Sequence, residues 1–287
     1  MAIDSLHEKI RKLKNPLILD LRLADSGIPA AEGVSALQAH ETYSEQLLNG
    51  MKDSVAGVRF SIGTYALFGG AGLDALMRLL TLAKELGFYV LLDAPEAGSL
   101  LAAQQTAERI FREDSQFPCD GLIVSPYIGS DAIKPFLPAC KAQKKDLFVT
   151  VRSANKTAAE IQDLMTGSRL VHSAAADIVT RHGEGLMGKC AYSQIAAVVS
   201  AGSPDSLRNL RAKYKSMFLL VDGLDMPSGN AKNCSTAFDR FGYGAAVLVG
   251  ASVTEAWKEE GSADPIDAAR QAAERIRKNL QRYFSIL

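Results

Sequence analysis

The sequence has little of what several classes of protein depend on. Its four cysteines and four histidines do not stand at the spacing of a metal or redox motif, so we expect no metal site and no cofactor. Formal net charge is zero and basic residues form no cluster, so nucleic acid is not an expected partner. No apolar run reaches the roughly 18 residues that span a membrane, which makes a membrane partner equally unexpected. Since no signal-peptide pattern opens the chain, we expect a cytoplasmic protein.

What the sequence does contain is a regular alternation of short apolar runs with longer stretches of helical periodicity. Eight such units in 287 residues predict an α/β fold, a closed (β/α)8 TIM barrel in a single domain over residues 1–287, with an open doubly wound sheet as the alternative. The predicted strands are Leu17–Leu23, Gly57–Gly63, Phe88–Ala94, Gly121–Pro126, Asp146–Ser153, Ile195–Ala201, Phe218–Leu224 and Ala245–Ser252.

Functional groups of such barrels lie at the carboxyl ends of the strands. At these positions the sequence places no lysine, histidine or cysteine, so the usual general bases and nucleophiles are missing from the predicted mouth. The histidines fall in predicted helices or in the N-terminal segment, where we expect surface or packing roles. The candidate ligand-binding residues are Arg22, Ser61, Tyr127, Arg152, Ser153, Asn155, Asp222, Gly250 and Ser252.

Two ion pairs are predicted across this mouth, Arg59 with Asp93 and Arg22 with Asp222, because charges in a barrel interior need partners. The same arginines are suited to bind a carboxylate-bearing substrate, so structural and catalytic roles both stay open. After the last strand, Gly250 and Ser252 offer an amide and a hydroxyl to a small anion, although a helix N-cap is the favoured interpretation of Ser252.

Four segments carry a family resemblance, namely IDSLHEKIRKLKNPLILDL, SPYIGSDAIKPFLPAC, FVTVRSANKTAAEIQDL and FLLVDGLDMPSGNAKN. In order and spacing they resemble the longer bacterial form of orotidine 5'-phosphate decarboxylase, over nearly the whole chain. The resemblance implies a dimeric lyase of pyrimidine biosynthesis with an alternating Lys-Asp-Lys-Asp tetrad. One lysine of the tetrad lies on the second strand, and an Asp-x-Lys-x-x-Asp motif ends the third. The central lysine protonates the carbon that loses carbon dioxide.

Most of the implied tetrad is missing from this chain. The second-strand lysine falls on Arg59, the first aspartate on Asp93, the central lysine on Pro95 and the last aspartate on Gly98. Proline has no proton to give, and arginine holds its own too tightly to serve as a general acid. Asp93 is therefore interpreted as a remnant of the catalytic set, with Arg59 in place of a lysine.

The ligand positions that the resemblance implies have changed as well. An aspartate after the first strand falls on Arg22, a threonine after the tetrad on Ala102, and a pyrimidine-contacting serine on Ala154. The arginine that grips the phosphate falls on Ala251. The phosphate loop now contains Asp225, whose charge would repel a phosphate.

Three hypotheses about function remain, and the ligand is open in each. The favoured one is a catalytically degenerate homologue, a pseudoenzyme, with a retained binding or subunit-pairing role as a homodimer or as a heterodimer with an active paralogue. The second is a barrel enzyme for a different small substrate, such as a carboxylate-bearing one. The least favoured is an active orotidine 5'-phosphate decarboxylase that makes UMP.

Overall fold

The computed structural model describes residues 1–29, 32–94, 97–260 and 264–286. Within these ranges the chain forms a closed barrel of eight parallel strands, which confirms the predicted fold and excludes the open sheet. Each barrel strand pairs with the next one along the chain, and the first closes against the last. In chain order the strands are β1 (Leu17–Asp20), β2 (Gly57–Ser61), β3 (Tyr89–Asp93), β4 (Gly121–Val124), β5 (Asp146–Arg152), β6 (Met165–Thr166), β7 (Arg169–Leu170), β8 (Ile195–Ser200), β9 (Leu219–Asp222) and β10 (Ala245–Val249).

Helices surround the barrel, and β6 with β7 forms a separate antiparallel hairpin beyond β5. None of the helices in the described ranges is long and apolar enough to cross a membrane. The helices are α1 (Ala2–Leu13), α2 (Ala36–Met51), α3 (Ile62–Ala66), α4 (Gly69–Glu85), α5 (Leu100–Arg109), α6 (Leu137–Gln143), α7 (Ala159–Gln162), α8 (Val171–Gly183), α9 (Pro204–Lys213), α10 (Ala231–Ser235), α11 (Ala251–Thr254), α12 (Trp257–Glu260) and α13 (Pro265–Leu280).

Helix α1 closes the amino-terminal end of the barrel. Its apolar face, made by Ile3, Leu6 and Ile10, is buried in the same cluster as the barrel-interior residues Leu91 and Phe148. At the opposite end, where the strands finish, the described residues open into a cavity lined by strand ends, loops and the start of α11. This end is where the sequence predicted the functional groups.

Strand alternation determines which residues face the barrel axis. On β2, Val58 and Phe60 belong to the core between sheet and helices, so Arg59 and Ser61 face the interior. On β9, Leu220 belongs to the interior cluster, and Asp222 follows it two residues later on the same face. The interior is therefore apolar in its middle and polar at the carboxyl ends of the strands.

Several strands end earlier than the sequence suggested. Strand β1 finishes at Asp20, because the Asp20 side chain accepts a hydrogen bond from the Arg22 amide (3.2 Å) and turns the chain out of the sheet. Arg22 consequently lies in the loop beyond β1. The N-cap interpretation of Ser252 was wrong, since Gly250 occupies that position and Ser252 is the second residue of α11.

Candidate functional site

A cavity of about 600 Å³ opens at the carboxyl ends of the barrel strands. Barrel-interior side chains form its apolar floor, among them Ile123, Val198 and Leu248. Charged groups dominate the walls above this floor. The ionisable residues that line the cavity are Asp20, Arg22, Arg59, Asp93, Asp222, Asp225 and Glu255.

Arg59 stands at the centre of these charges and is only 4% exposed. Its Nη2 donates to Asp93 Oδ2 at 3.0 Å, which confirms the predicted pair. Its Nη1 lies 3.4 Å from an oxygen of Asp222 and 3.6 Å from an oxygen of Asp20. One buried guanidinium thus holds three carboxylates from three different strands.

Arg22 pairs with Asp20, and the predicted Arg22–Asp222 pair was wrong. The distances are 2.7 Å from Nη2 to Asp20 Oδ2 and 3.0 Å from Nε to Oδ1, with Asp93 at 3.6 Å. The early end of β1 explains the difference, because it presents Asp20 to the guanidinium. Burial tends to lower the pKa of Arg22, but the hydrogen bonds and charge of Asp20 outweigh it and raise that pKa above its usual value.

Arg152 does not line the cavity. The register of β5 shifts between Thr150 and Arg152, and the guanidinium is turned onto Asp163, with Nε and Nη2 at 3.0 and 2.9 Å from the two carboxylate oxygens. This is the bidentate geometry typical of strong charge-assisted pairs. All three candidate arginines of the mouth therefore already have a carboxylate partner within the chain.

The polar side chains after β5 are engaged with one another. Ser153 and Asn155 line the cavity, where the Ser153 hydroxyl donates to Asn155 Oδ1 at 2.7 Å. Gln162 Nε2 donates to Ser153 Oγ at 2.7 Å, and Asn155 Nδ2 donates to Thr157 Oγ1 at 3.1 Å. These contacts order the loop and leave less capacity for a ligand.

The loop after β9 presents carboxylates at the predicted anion site. Asp225 Oδ2 accepts a hydrogen bond from the Gly250 amide at 2.6 Å, so an internal carboxylate already occupies the amide that the sequence offered to a small anion. Asp222 Oδ1 accepts from the Gly223 amide at 2.7 Å. Glu255 is also nearby, paired with Lys258 at 2.6 Å.

Three further candidates lie outside the cavity lining. The Tyr127 side chain is 82% exposed, and Ser252 is exposed on α11. Neither position fits a ligand group of this cavity. Ser61 is different: it is 6% exposed, faces the barrel interior and stands in register with Asp93. As the N-cap residue of α3, Ser61 makes no capping hydrogen bond with its side chain.

The structure describes three of the four tetrad positions. Arg59 and Asp93 contact each other, Gly98 is exposed in the loop after β3, and Pro95 lies outside the described residues. Asp20 is the mouth residue that the sequence reasoning missed. The alternation of side chains along β1 could have identified it, because Asp20 lies two residues after Ile18 and so faces the barrel interior as Ile18 does.

Histidines take no part in the mouth within the described ranges, and all four lie in helices. His172 is buried on α8, where Nδ1 lies 3.0 Å from the Gln162 carbonyl and 3.2 Å from Asp163 Oδ1, while Nε2 lies 3.3 Å from Ser206 Oγ. This packing role is the kind that was predicted. Among the described residues, no group of three or more His, Cys, Asp or Glu side chains is arranged to hold a metal ion.

Comparison with known proteins gives one consistent family name, although no protein-family model matches the chain. The orotidine 5'-phosphate decarboxylase of Clostridium novyi is 27% identical over 287 residues, covering 98% of this chain and 99% of the relative. That of Clostridium kluyveri is 28% identical over 290 residues, covering 98% and 97%. These relatives confirm the resemblance predicted from the sequence.

Solved structures agree on the architecture. OMP decarboxylase of Leishmania donovani superposes with a TM-score of 0.75 at 22% identity, over 98% of this chain and 99% of that one. Orotidine 5'-monophosphate decarboxylase of Plasmodium berghei gives 0.77 at 13% identity, over 98% of both. At such identities the structural likeness shows the fold alone.

Proposed function

The chain is a homologue of orotidine 5'-phosphate decarboxylases over nearly its full length, and we propose that it is a catalytically degenerate one, a single barrel domain over residues 1–287 with a retained binding or subunit-pairing role. The observation that carries this proposal is the Arg59–Asp93 pair (3.0 Å) at the position of the implied tetrad. The stretch Val90–Ala102 contains no lysine.

Decarboxylation leaves a carbanion, and the enzyme has to deliver a proton to it. Arginine stays protonated throughout the accessible pH range, and Arg59 is further held by three carboxylates. With proline at position 95 and glycine at position 98, the implied tetrad keeps no lysine to act as the general acid.

Phosphate binding is disfavoured by the same cavity. Asp225 accepts the Gly250 amide hydrogen bond that an anionic ligand would need. Five carboxylates line the cavity against two guanidinium groups, so a nucleotide phosphate would meet net repulsion. The proposal is therefore that both the chemistry and the ancestral ligand have been lost.

The alternative of an enzyme for a carboxylate-bearing substrate finds less support. It requires an arginine whose guanidinium group is free to bind the substrate carboxylate. Arg22, Arg59 and Arg152 instead each donate to an aspartate within 3.0 Å. An active decarboxylase, as the names of the relatives suggest, is the other alternative and is the one that a direct assay addresses.

The deciding experiment measures release of labelled carbon dioxide from carboxyl-labelled orotidine 5'-monophosphate. The purified chain is compared with the Clostridium novyi relative as positive control and with a no-protein blank. We expect release at the blank level, and we expect Pro95→Lys alone not to restore it, because the anion site stays blocked. Turnover by the unmodified chain above the blank would overturn the proposal.

A subunit-pairing role is tested by native mass spectrometry after co-expression with an active decarboxylase from the same cell. The proposal predicts dimers, either of this chain alone or of the mixed pair. The resemblance implies that each subunit lends the last aspartate of the tetrad to its neighbour's site. Because this chain has glycine there, at position 98, a mixed dimer would leave the partner's site without that aspartate. Monomers alone would remove the pairing role and leave ligand binding as the function to test.

A further inference from the structure

We propose that a second cavity, at the end of the barrel opposite the mouth, binds a small phosphorylated molecule. This cavity, the basic pocket, has a volume of about 590 Å³ and lies between the carboxyl end of α9 and the loop that leads into β10. Its charged lining residues are Arg208, Arg211, Lys215, Asp239 and Arg240. No residue is common to its lining and that of the mouth, so the inference goes beyond the proposed function.

Positive charge dominates the described lining of the basic pocket. Arg208, Arg211 and Lys215 come from α9 and the turn after it, and Arg240 comes from the loop before β10. The whole of β9 and α10 separates these two segments along the chain, which is why the sequence did not reveal the cluster. Because the formal net charge of the chain is zero, the pocket is a local concentration of cations that attracts anions.

The chain neutralises little of this charge. Arg208 pairs with Asp205 at 2.6 Å on the surface of α9, whereas Lys215 and Arg240 have no ion-pair partner among the described residues. Asp239, the carboxylate of the lining, is engaged by its own turn. It accepts hydrogen bonds from the Phe241 amide at 2.8 Å and the Tyr243 amide at 2.9 Å.

Arg211 is a second and independent indication of an anionic ligand. It is only 7% exposed, and its guanidinium donates to the carbonyls of Ala237 at 2.7 Å, Met217 at 2.9 Å and Gly244 at 2.5 Å. Carbonyls satisfy the donors but carry no net charge, and a buried charge ordinarily has an opposite charge beside it. No carboxylate of the described residues forms an ion pair with Arg211, so an anion in the basic pocket would supply the missing charge.

An aromatic ring at the pocket favours an organic phosphate. The Phe241 side chain is 43% exposed, and the Arg240 guanidinium carbon lies 4.6 Å from the centre of its ring. This cation–π contact holds the guanidinium beside the pocket, where its planar donors suit two phosphate oxygens at once. The ring offers a surface for the carbon part of a ligand.

The size of the basic pocket favours a small molecule over a nucleic acid. Its volume of about 590 Å³ is that of a small-molecule site. Nucleic-acid binding usually depends on an extended basic surface and a basic protein, and this chain has a net charge of zero. A phosphate ester of a small carbon compound therefore fits the charge, the ring and the volume together.

The test is isothermal titration of the full chain with inorganic pyrophosphate, with ribose 5-phosphate and with a short single-stranded RNA, at low and at physiological salt. We expect at least one of the two small compounds to bind, and to bind more weakly as salt rises. Lys215→Gln and Arg240→Gln should each weaken that binding about fivefold, because each removes one positive charge beside the anion. The matched control is Lys52→Gln, at an exposed lysine after α2, and should leave the affinity unchanged.

The outcomes separate this inference from the proposed function, which the carbon dioxide assay addresses independently. If neither small compound binds, the basic pocket is refuted as a phosphate site while the loss of decarboxylation stands. Binding that Lys215→Gln and Arg240→Gln weaken no more than Lys52→Gln would lie elsewhere on the chain and would also refute it. Binding of the RNA more tightly than either small compound would overturn the assigned ligand class. Both substituted side chains are exposed, so the variants are expected to fold.

Discussion

Arg59→Met is the sharpest test of the idea that the chain's own arginines neutralise the carboxylates at the mouth of the barrel. Methionine keeps the length and the apolar stem of the side chain but removes the guanidinium that contacts Asp93 at 3.0 Å, Asp222 at 3.4 Å and Asp20 at 3.6 Å. The three carboxylates are then left with Arg22 alone. The variant therefore measures how much of the stability of the mouth depends on one cation.

The expected loss of stability follows from the burial of the cluster. Removing one partner of a buried ion pair costs about 3–5 kcal/mol, because the other charge stays buried without compensation. The carboxylates here are partly exposed, with side-chain exposures of 12–25%, which favours the lower end, about 3 kcal/mol. With an unfolding entropy of about 2.1 cal/mol/K per residue, the melting temperature of the 287-residue chain should fall by about 5 °C.

Calorimetry at pH 7 measures the loss against the unmodified chain. As a control, Arg112→Met removes an exposed ion pair with Asp114 and should leave the melting temperature nearly unchanged, because solvent screens exposed ion pairs. An Arg59→Met protein as stable as the parent at pH 7, or one destabilised no more than Arg112→Met, would refute the neutralisation of these carboxylates by Arg59 and reopen Arg59 as a ligand group.

Two further predictions concern the scaffold. Burial raises the pKa of Asp146 well above its ordinary range, more than the Tyr89 hydrogen bond lowers it. Above about pH 4 the unfolded chain therefore releases this proton while the folded chain keeps it, so the parent loses stability as the pH rises. Relative to the parent, the free energy of unfolding of Asp146→Asn should increase by up to about 1.4 kcal/mol per pH unit. Urea unfolding at pH 5 and pH 7 checks it, and a pH-independent difference would contradict it. Gly229→Ala should destabilise by about 1–3 kcal/mol, because its Cβ would stand 2.2 Å from the Gly223 carbonyl oxygen; an unchanged urea midpoint would show that the turn adjusts.

The number, order and direction of the strands were predictable because each barrel strand is a short apolar run of a parallel sheet covered on its outer side. The residue at which each strand ends was not predictable, because it depends on side-chain hydrogen bonds that the pattern of apolar residues does not reveal. The contact of Asp20 with the Arg22 amide ends β1, and the sequence-based extension of this strand to Leu23 hid Asp20 as a site residue and gave Arg22 the wrong partner.

Arg152 shows a second limit of sequence patterns. A strict period of two along β5 places it at the mouth, but the register shift between Thr150 and Arg152 breaks that period and turns the guanidinium towards Asp163. A bulge of this kind depends on the neighbouring strand as much as on β5 itself. Its partner, Asp163, lies eleven residues further along the chain, beyond the reach of a strand-end argument.

The glycines after β9 illustrate why a family resemblance predicts the fold better than it predicts the ligand or the reaction. Gly223 has a φ of +79°, where side chains are rarely tolerated, and a Cβ on it would stand 2.6 Å from the Ala154 side chain. Gly229 is required by the backbone contact of the same turn. Both glycines are thus explained by the geometry of the turn itself, and neither is evidence of a particular ligand. The residue that does bear on the ligand is Asp225, whose carboxylate accepts the Gly250 amide hydrogen bond and gives this turn a negative charge at the cavity.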